Sequence, residues 1–156
     1  MRQVKALPVD APKLSGMKSE AIGRSGPVHL PLVLVIDDDF AVRDSLAAVI
    51  EAFGFRTCTA GNGFEGLQAV ERETPSAIVT DLHMPEMDGF ELLTALRVAK
   101  SEIPVIVISG APSKGYDFLS AAKRMGAAAT FQKPLSVFDV IDTIAGLTAD
   151  SAQHAA

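Results

Sequence analysis

The chain has 156 residues, 48% of them apolar and 21% charged, with a formal net charge of −5. That is enough apolar chain for one domain whose core needs no staples, and the single cysteine, Cys58, excludes an internal disulfide. No apolar run approaches the ~20 residues that span a bilayer, which argues against membrane insertion.

Charge is uneven. Residues 1–30 hold five Lys/Arg against two acids, and the remainder holds nine against seventeen. The acidic body argues against direct binding to nucleic acid. The first residues do not make a secretory signal, because Lys5, Pro8 and Asp10 interrupt Val4, Ala6, Leu7 and Val9. A cytoplasmic location follows as the expectation. Residues 1–30 show no sustained hydrophobic period and contain Pro8, Pro12, Gly16, Gly23, Gly26 and Pro27. They read as a disordered extension, with folded chain beginning near Pro31.

Strands and helices then alternate. Leu32–Ile36 is an unbroken apolar run, as in a strand covered on both faces. Asp37-Asp38-Asp39 follows, with Asp39 placed to cap a helix over Phe40–Phe53 that Gly54 stops. Val42, Leu46, Val49, Ile50 and Phe53 supply its apolar face. Phe55–Thr59 is a second strand, in which Cys58 reads as a packed thiol with no adjoining basic residue to favour the thiolate. Gly61-Asn62-Gly63 is a turn, and Phe64–Arg72 a short helix with Phe64, Leu67 and Val70 on one face.

Ala77–Thr80 is the third strand, delivering Asp81 to the loop His83-Met84-Pro85-Glu86-Met87-Asp88-Gly89. Pro85 fixes φ there, and Gly89 can take a positive φ. Phe90–Ala99 is a helix. Val105–Ile108 is the fourth strand and ends in Ser109. Ser113–Met125 is predicted as the fourth helix, closed by Gly126, and Ala128–Gln132 as the fifth strand, ending in Lys133-Pro134. A last helix starts at Ser136, whose hydroxyl is placed to cap it, with Asp139 in the first turn. Residues 31–148 form the predicted domain, and 149–156 a flexible tail.

Five β-α units of this length predict an α/β fold, a doubly wound five-stranded parallel sheet. Ligands of such sheets sit beyond the carboxyl ends of strands. Asp37 and Asp38, Asp81, Ser109 and Lys133 all fall at carboxyl ends. Three carboxylates at one point repel each other. With all three strand ends expected to face solvent, a hard divalent cation is the better remedy, and Mg²⁺ takes oxygen ligands of this kind.

An acid cluster, a lone Asp, a hydroxyl and a Lys-Pro, each at a strand end and in that order, resemble the receiver domain of two-component response regulators. The resemblance covers roughly residues 31–148. It implies the (βα)5 flavodoxin-like, CheY-like receiver fold and phosphoryl acceptance on Asp81, with Asp38, Asp81 and the His83 backbone carbonyl as Mg²⁺ ligands and Asp37 acting through water. It also implies that Lys133 and Ser109 serve phosphoryl oxygens, and that the Lys133-Pro134 bond is cis. A histidine kinase or histidine phosphotransfer protein is the implied donor.

Receivers usually carry a Tyr or Phe three residues before that lysine, as a switch coupled to the Ser/Thr. Thr130 holds the position here, and strand alternation turns Phe131 to the other face. Too few residues follow Leu147 for an output domain, so a single-domain response regulator is expected, with protein binding as its output. A phosphorelay shuttle and a non-phosphorylated interaction module are the alternatives. An aspartate-dependent phosphatase of the haloacid dehalogenase type fits less well. Such enzymes place a second Asp two residues after the nucleophile, where this chain has His83. On this reading the chain is not an enzyme beyond catalysing its own phosphorylation and dephosphorylation.

Overall fold

In the computed structural model, residues 29–110 and 116–154 are described, without side chains for 151–154. Nearly all of the expected disordered extension lies outside them, whereas most of the expected flexible tail is described and is helical. The elements run β1 (Leu32–Ile36), α1 (Phe40–Ala52), β2 (Arg56–Ala60), α2 (Gly63–Glu73), β3 (Ala77–Asp81), α3 (Gly89–Val98), β4 (Val105–Ser109), α4 (Phe118–Arg124), β5 (Ala129–Gln132) and α5 (Val137–His154).

All strand pairs are parallel, in the order β2-β1-β3-β4-β5. The chain steps from β1 outward to β2, returns to β3 and continues to β5. The order therefore reverses between β1 and β3, and a crevice opens at their carboxyl ends.

Strand alternation divides the core into two layers. Leu34, Ile36, Ile78, Val105 and Val107 pack on one face with Leu92, Leu93 and Leu96 of α3 and Ala122 of α4. Val33, Val35, Val79, Ile106 and Ile108 pack on the other with Ile50 of α1 and Val140, Ile141 and Ile144 of α5. Each fully buried side chain of this size contributes about 1.5–3 kcal/mol, so the three central strands anchor the fold.

Caps set the helix ends. The Asp39 carboxylate accepts the Ala41 and Val42 N–H groups, as its position in the sequence indicates. Asn62 accepts the Glu65 N–H at the start of α2. Asp88 and Glu91 form a reciprocal capping box at α3. Gly54 and Gly126 take φ of 89° and 107° just past α1 and α4, a backbone conformation that costs glycine little.

Two elements differ from expectation. Helix α4 begins at Phe118 rather than Ser113. Asp117 is the reason: its carboxylate accepts the Ser120 N–H and hydroxyl, which caps the helix there. Residues 113–115 of the predicted helix lie outside the described residues. Helix α5 continues past residue 148 to His154. Thr148 is buried and bonds back to the Ile144 carbonyl at 2.8 Å, so its hydroxyl is satisfied within the helix. Three residues placed on apolar helix faces, Val42, Phe53 and Phe64, are 39%, 49% and 52% exposed.

Candidate functional site

The acid cluster is assembled by β1 and β3. Asp37 is the first residue after β1, and Asp81 ends β3. One carboxylate oxygen from each of Asp37, Asp38 and Asp81 lies within 4.8 Å of the others. This all-oxygen set matches the preference of Mg²⁺, and no soft ligand stands among the three.

The three acids differ in exposure. Asp38 is exposed and Asp81 is half-buried, but Asp37 is only 6% exposed, against the expectation that all three face solvent. Two partners hold the Asp37 carboxylate. Its Oδ1 accepts the Asp39 N–H at 2.9 Å, and its Oδ2 faces the Lys133 ammonium at 3.5 Å. The same ammonium stands 3.9 Å from Asp81 Oδ2.

Asp81 Oδ1 accepts the Leu82 N–H at 2.8 Å. Burial pushes the Asp81 carboxyl above its ordinary pKa, with Asp37 and Asp38 adding to the rise. Lys133 and the Leu82 N–H oppose it. A cation beside Asp81 would relieve the same repulsion and favour the ionised, nucleophilic form.

Strands β4 and β5 bring the other two groups. Asp81 is in register with Ile108, which puts buried Ser109 one step beyond it on the neighbouring strand. The Lys133 N–H donates to the Ser109 carbonyl at 2.8 Å, so the two residues are tied through the backbone. The Lys133-Pro134 peptide is cis, as the resemblance implies.

The left-handed residue of the loop after β3 is Glu86, at φ 70°, and not Gly89. Gly89 is needed for space: a Cβ there would stand 2.6 Å from the Asp81 carbonyl oxygen and 2.9 Å from Leu82 Cα. The loop is also fastened to α2, where the Gly63 N–H donates to the Met87 carbonyl at 3.1 Å.

His83 and Thr130 lie apart from the cluster's side chains. The His83 side chain is exposed, and its ring packs against Phe118. Thr130 is half-buried and pairs with Val107, which places it on the α3–α4 face of the sheet. Phe131 packs in the other layer, as alternation predicts.

Arg43 is a site residue that the sequence reading missed. Its guanidinium donates to the Asp37 carbonyl at 2.8 Å and lies over the Phe40 ring at 5.3 Å. No spacing points to it, because Asp37 lies six residues back, outside the three- and four-residue steps of a helix face. A cavity of about 460 Å³ opens beside the cluster. Val42, Leu46, Val49 and Leu135 form apolar walls, and Asp37, Asp81 and Lys133 are its charged lining.

Cys58 is half-buried against the core, where burial and then Glu73 push its thiol pKa up, outweighing Arg72 and Arg56. It is a packing residue, in line with the sequence reading.

A five-stranded parallel sheet of this order, with carboxylates and a lysine gathered at its carboxyl ends, has the architecture of a receiver. Residues 33–145 match the response regulator receiver domain family, and the chain belongs to that family. It is 30% identical over 112 residues to sporulation initiation phosphotransferase F of Bacillus subtilis, an alignment covering 72% of this chain and 89% of that protein. It is 36% identical over 120 residues to the transcriptional regulatory protein PrrA of Mycobacterium tuberculosis, covering 77% of this chain but only 51% of that one. The CheY-like receiver domain protein of Methanospirillum hungatei superposes with a TM-score of 0.72 at 26% identity, over 80% of this chain and 98% of that one.

Members of this family are phosphorelay signalling modules phosphorylated on an aspartate. They bind Mg²⁺ in an acidic pocket and interact with histidine kinases or phosphotransfer proteins. Among the described residues, no helix is long and apolar enough to cross a membrane.

Proposed function

We propose that this chain accepts a phosphoryl group on Asp81 from a phosphohistidine and signals by binding another protein in the phosphorylated state. The observation that carries the reading is the gathering of the Asp37, Asp38 and Asp81 oxygens within 4.8 Å, with the Lys133 ammonium 3.9 Å from Asp81. An Asp81 oxygen attacks phosphorus, the phosphorus–nitrogen bond breaks, and the imidazole departs with the electron pair, leaving an acyl phosphate. Asp38, Asp81 and the His83 carbonyl would hold Mg²⁺, with Asp37 acting through water, and the ion would supply neutralisation of phosphoryl oxygen charge. Lys133 serves another oxygen, and the Ser109 hydroxyl a third. The open cavity beside Asp81 leaves room for the donor imidazole to approach.

A cytoplasmic setting, a histidine kinase or phosphotransfer protein as donor, and a protein target rather than nucleic acid complete the proposal. The net charge of −5 supports the last point. Thr130, on the sheet face toward α4, lies in the output path rather than in the chemistry. A second reading, a shuttle that passes the phosphoryl group to another histidine, is favoured by one observation. The relative of which this chain covers 89% is named a phosphotransferase.

The test is incubation with acetyl phosphate and Mg²⁺, followed by hydroxylamine and peptide mapping. Conversion of Asp81 to its hydroxamate supports the acyl phosphate. Modification at another residue, or none where an ordinary receiver is labelled, counts against it.

A further inference from the structure

The loop that follows Asp81 is fixed at Leu82 and again at Met84, both buried in the core, and His83 between them turns its side chain outward. The Leu82 N–H donates to the Asp81 carboxylate at 2.8 Å, the Leu82 carbonyl accepts the Gly89 N–H at 2.8 Å, and the Leu82 side chain is fully buried. His83 is the next residue and its side chain is exposed. Its ring stands edge-on to Phe118, with centroids 5.0 Å apart at 85°.

Phe118 is the first residue of α4 and packs against the core. Its ring also lies 4.8 Å from Tyr116 and 6.2 Å from Phe90 of α3. A chain of rings therefore leads from the residue beside Leu82 to Tyr116, which is 59% exposed. Thr130, on the same side of the sheet, contributes no ring.

We propose that the His83–Phe118 contact couples the state of Asp81 to the start of α4, with Tyr116 as its exposed end. This rests on the reading of Asp81 as phosphoacceptor. A phosphoryl group on Asp81 adds charge and bulk where the carboxylate now accepts the Leu82 N–H. Leu82 is anchored by its side chain and by Gly89, so the strain is relieved at His83. Displacement of His83 alters the edge-on contact, and Phe118 and Tyr116 settle into a second arrangement, which is a shift between two populations.

The chain supplies its own reporter, since it has no tryptophan and Tyr116 is its only tyrosine. Tyrosine emission is recorded on the full chain with Mg²⁺ before and after acetyl phosphate, and intact mass is read on the same samples. Each emission change is expressed per phosphoryl group bound. The expected result is a change in the wild type that is mostly lost in Phe118→Leu, which keeps an apolar side chain against the core, and in His83→Leu. Phe90→Leu, which disturbs the same core from α3, retains the change.

The proposal is overturned if the labelled wild type shows no emission change. It is also overturned if Phe118→Leu or His83→Leu responds fully, or if Phe90→Leu loses as much as they do. Absence of a mass gain in the wild type overturns the phosphoacceptor reading itself, and the mass trace separates that failure from the others. Circular dichroism of each variant identifies any that fails to fold, in which case Phe118→Met replaces Phe118→Leu.

Discussion

Gly89 and Asp81 approach so closely that a Cβ on Gly89 would lie 2.6 Å from the Asp81 carbonyl oxygen. The neighbour is backbone, which cannot swing aside as a flexible side chain can. Gly89→Ala is expected to destabilise the fold by about 1–3 kcal/mol, in the range of other overpacking changes. It should also displace Asp81 and slow phosphoryl uptake. Urea unfolding and mass-monitored uptake check the two effects, and unchanged values in both would contradict the packing argument.

Asp81 carries a pH signature. Burial raises its carboxyl pKa in the folded protein, so the native state holds that proton to higher pH than the unfolded chain does. Stability linked to Asp81 is full below the unfolded value, ~3.9, and declines as pH rises through the raised folded value. At neutral pH without divalent cation, ionised Asp81 is therefore a burden on the fold. Asp81→Asn should melt higher than the wild type in EDTA at neutral pH, and the gap should close as pH falls toward ~4. A gap that widens in acid would reverse the sign and refute the assignment.

Cation binding adds stability by mass action. At a Mg²⁺ concentration of about a hundred times its dissociation constant, the gain is about 2.7 kcal/mol. Asp38 is exposed, so Asp38→Ala should leave the metal-free fold within about 0.5 kcal/mol of the wild type while removing most of the Mg²⁺-dependent gain. Thermal melts with and without Mg²⁺ read both quantities. An undiminished gain in the variant would move the cation away from Asp38.

Thr130 stands three residues before Lys133 on the α3–α4 face and outside the acid cluster. Thr130→Ala should take up phosphoryl groups at close to the wild-type rate. A large loss would place the Thr130 hydroxyl within the phosphoryl site.

Much of this was legible in the chain itself. The apolar runs at residues 32–36, 77–80 and 105–108 define central strands because they are covered on both faces. A strand end followed at once by acid or lysine then locates the crevice. Asp37, Asp38, Asp81 and Lys133 converge as that logic requires, with Ser109 at the adjoining strand end.

What escaped the sequence depends on contacts between distant segments. The depth of Asp37 follows from Lys133, 96 residues away. The need for glycine at 89 comes from the Asp81 backbone rather than from a turn dihedral. The start of α4 is set by Asp117, whose capping geometry places it five residues after the predicted start at Ser113. Arg43 reads as one surface cation among others until Asp37 is seen to present its carbonyl to it.

The most direct test of the central claim is intact mass after incubation with Mg²⁺ and acetyl phosphate, wild type beside Asp81→Asn. The account predicts a gain of one phosphoryl group in the wild type and none in the variant, with both proteins folded. An equal gain in Asp81→Asn, or no gain in the wild type under conditions that label an ordinary receiver, would contradict it.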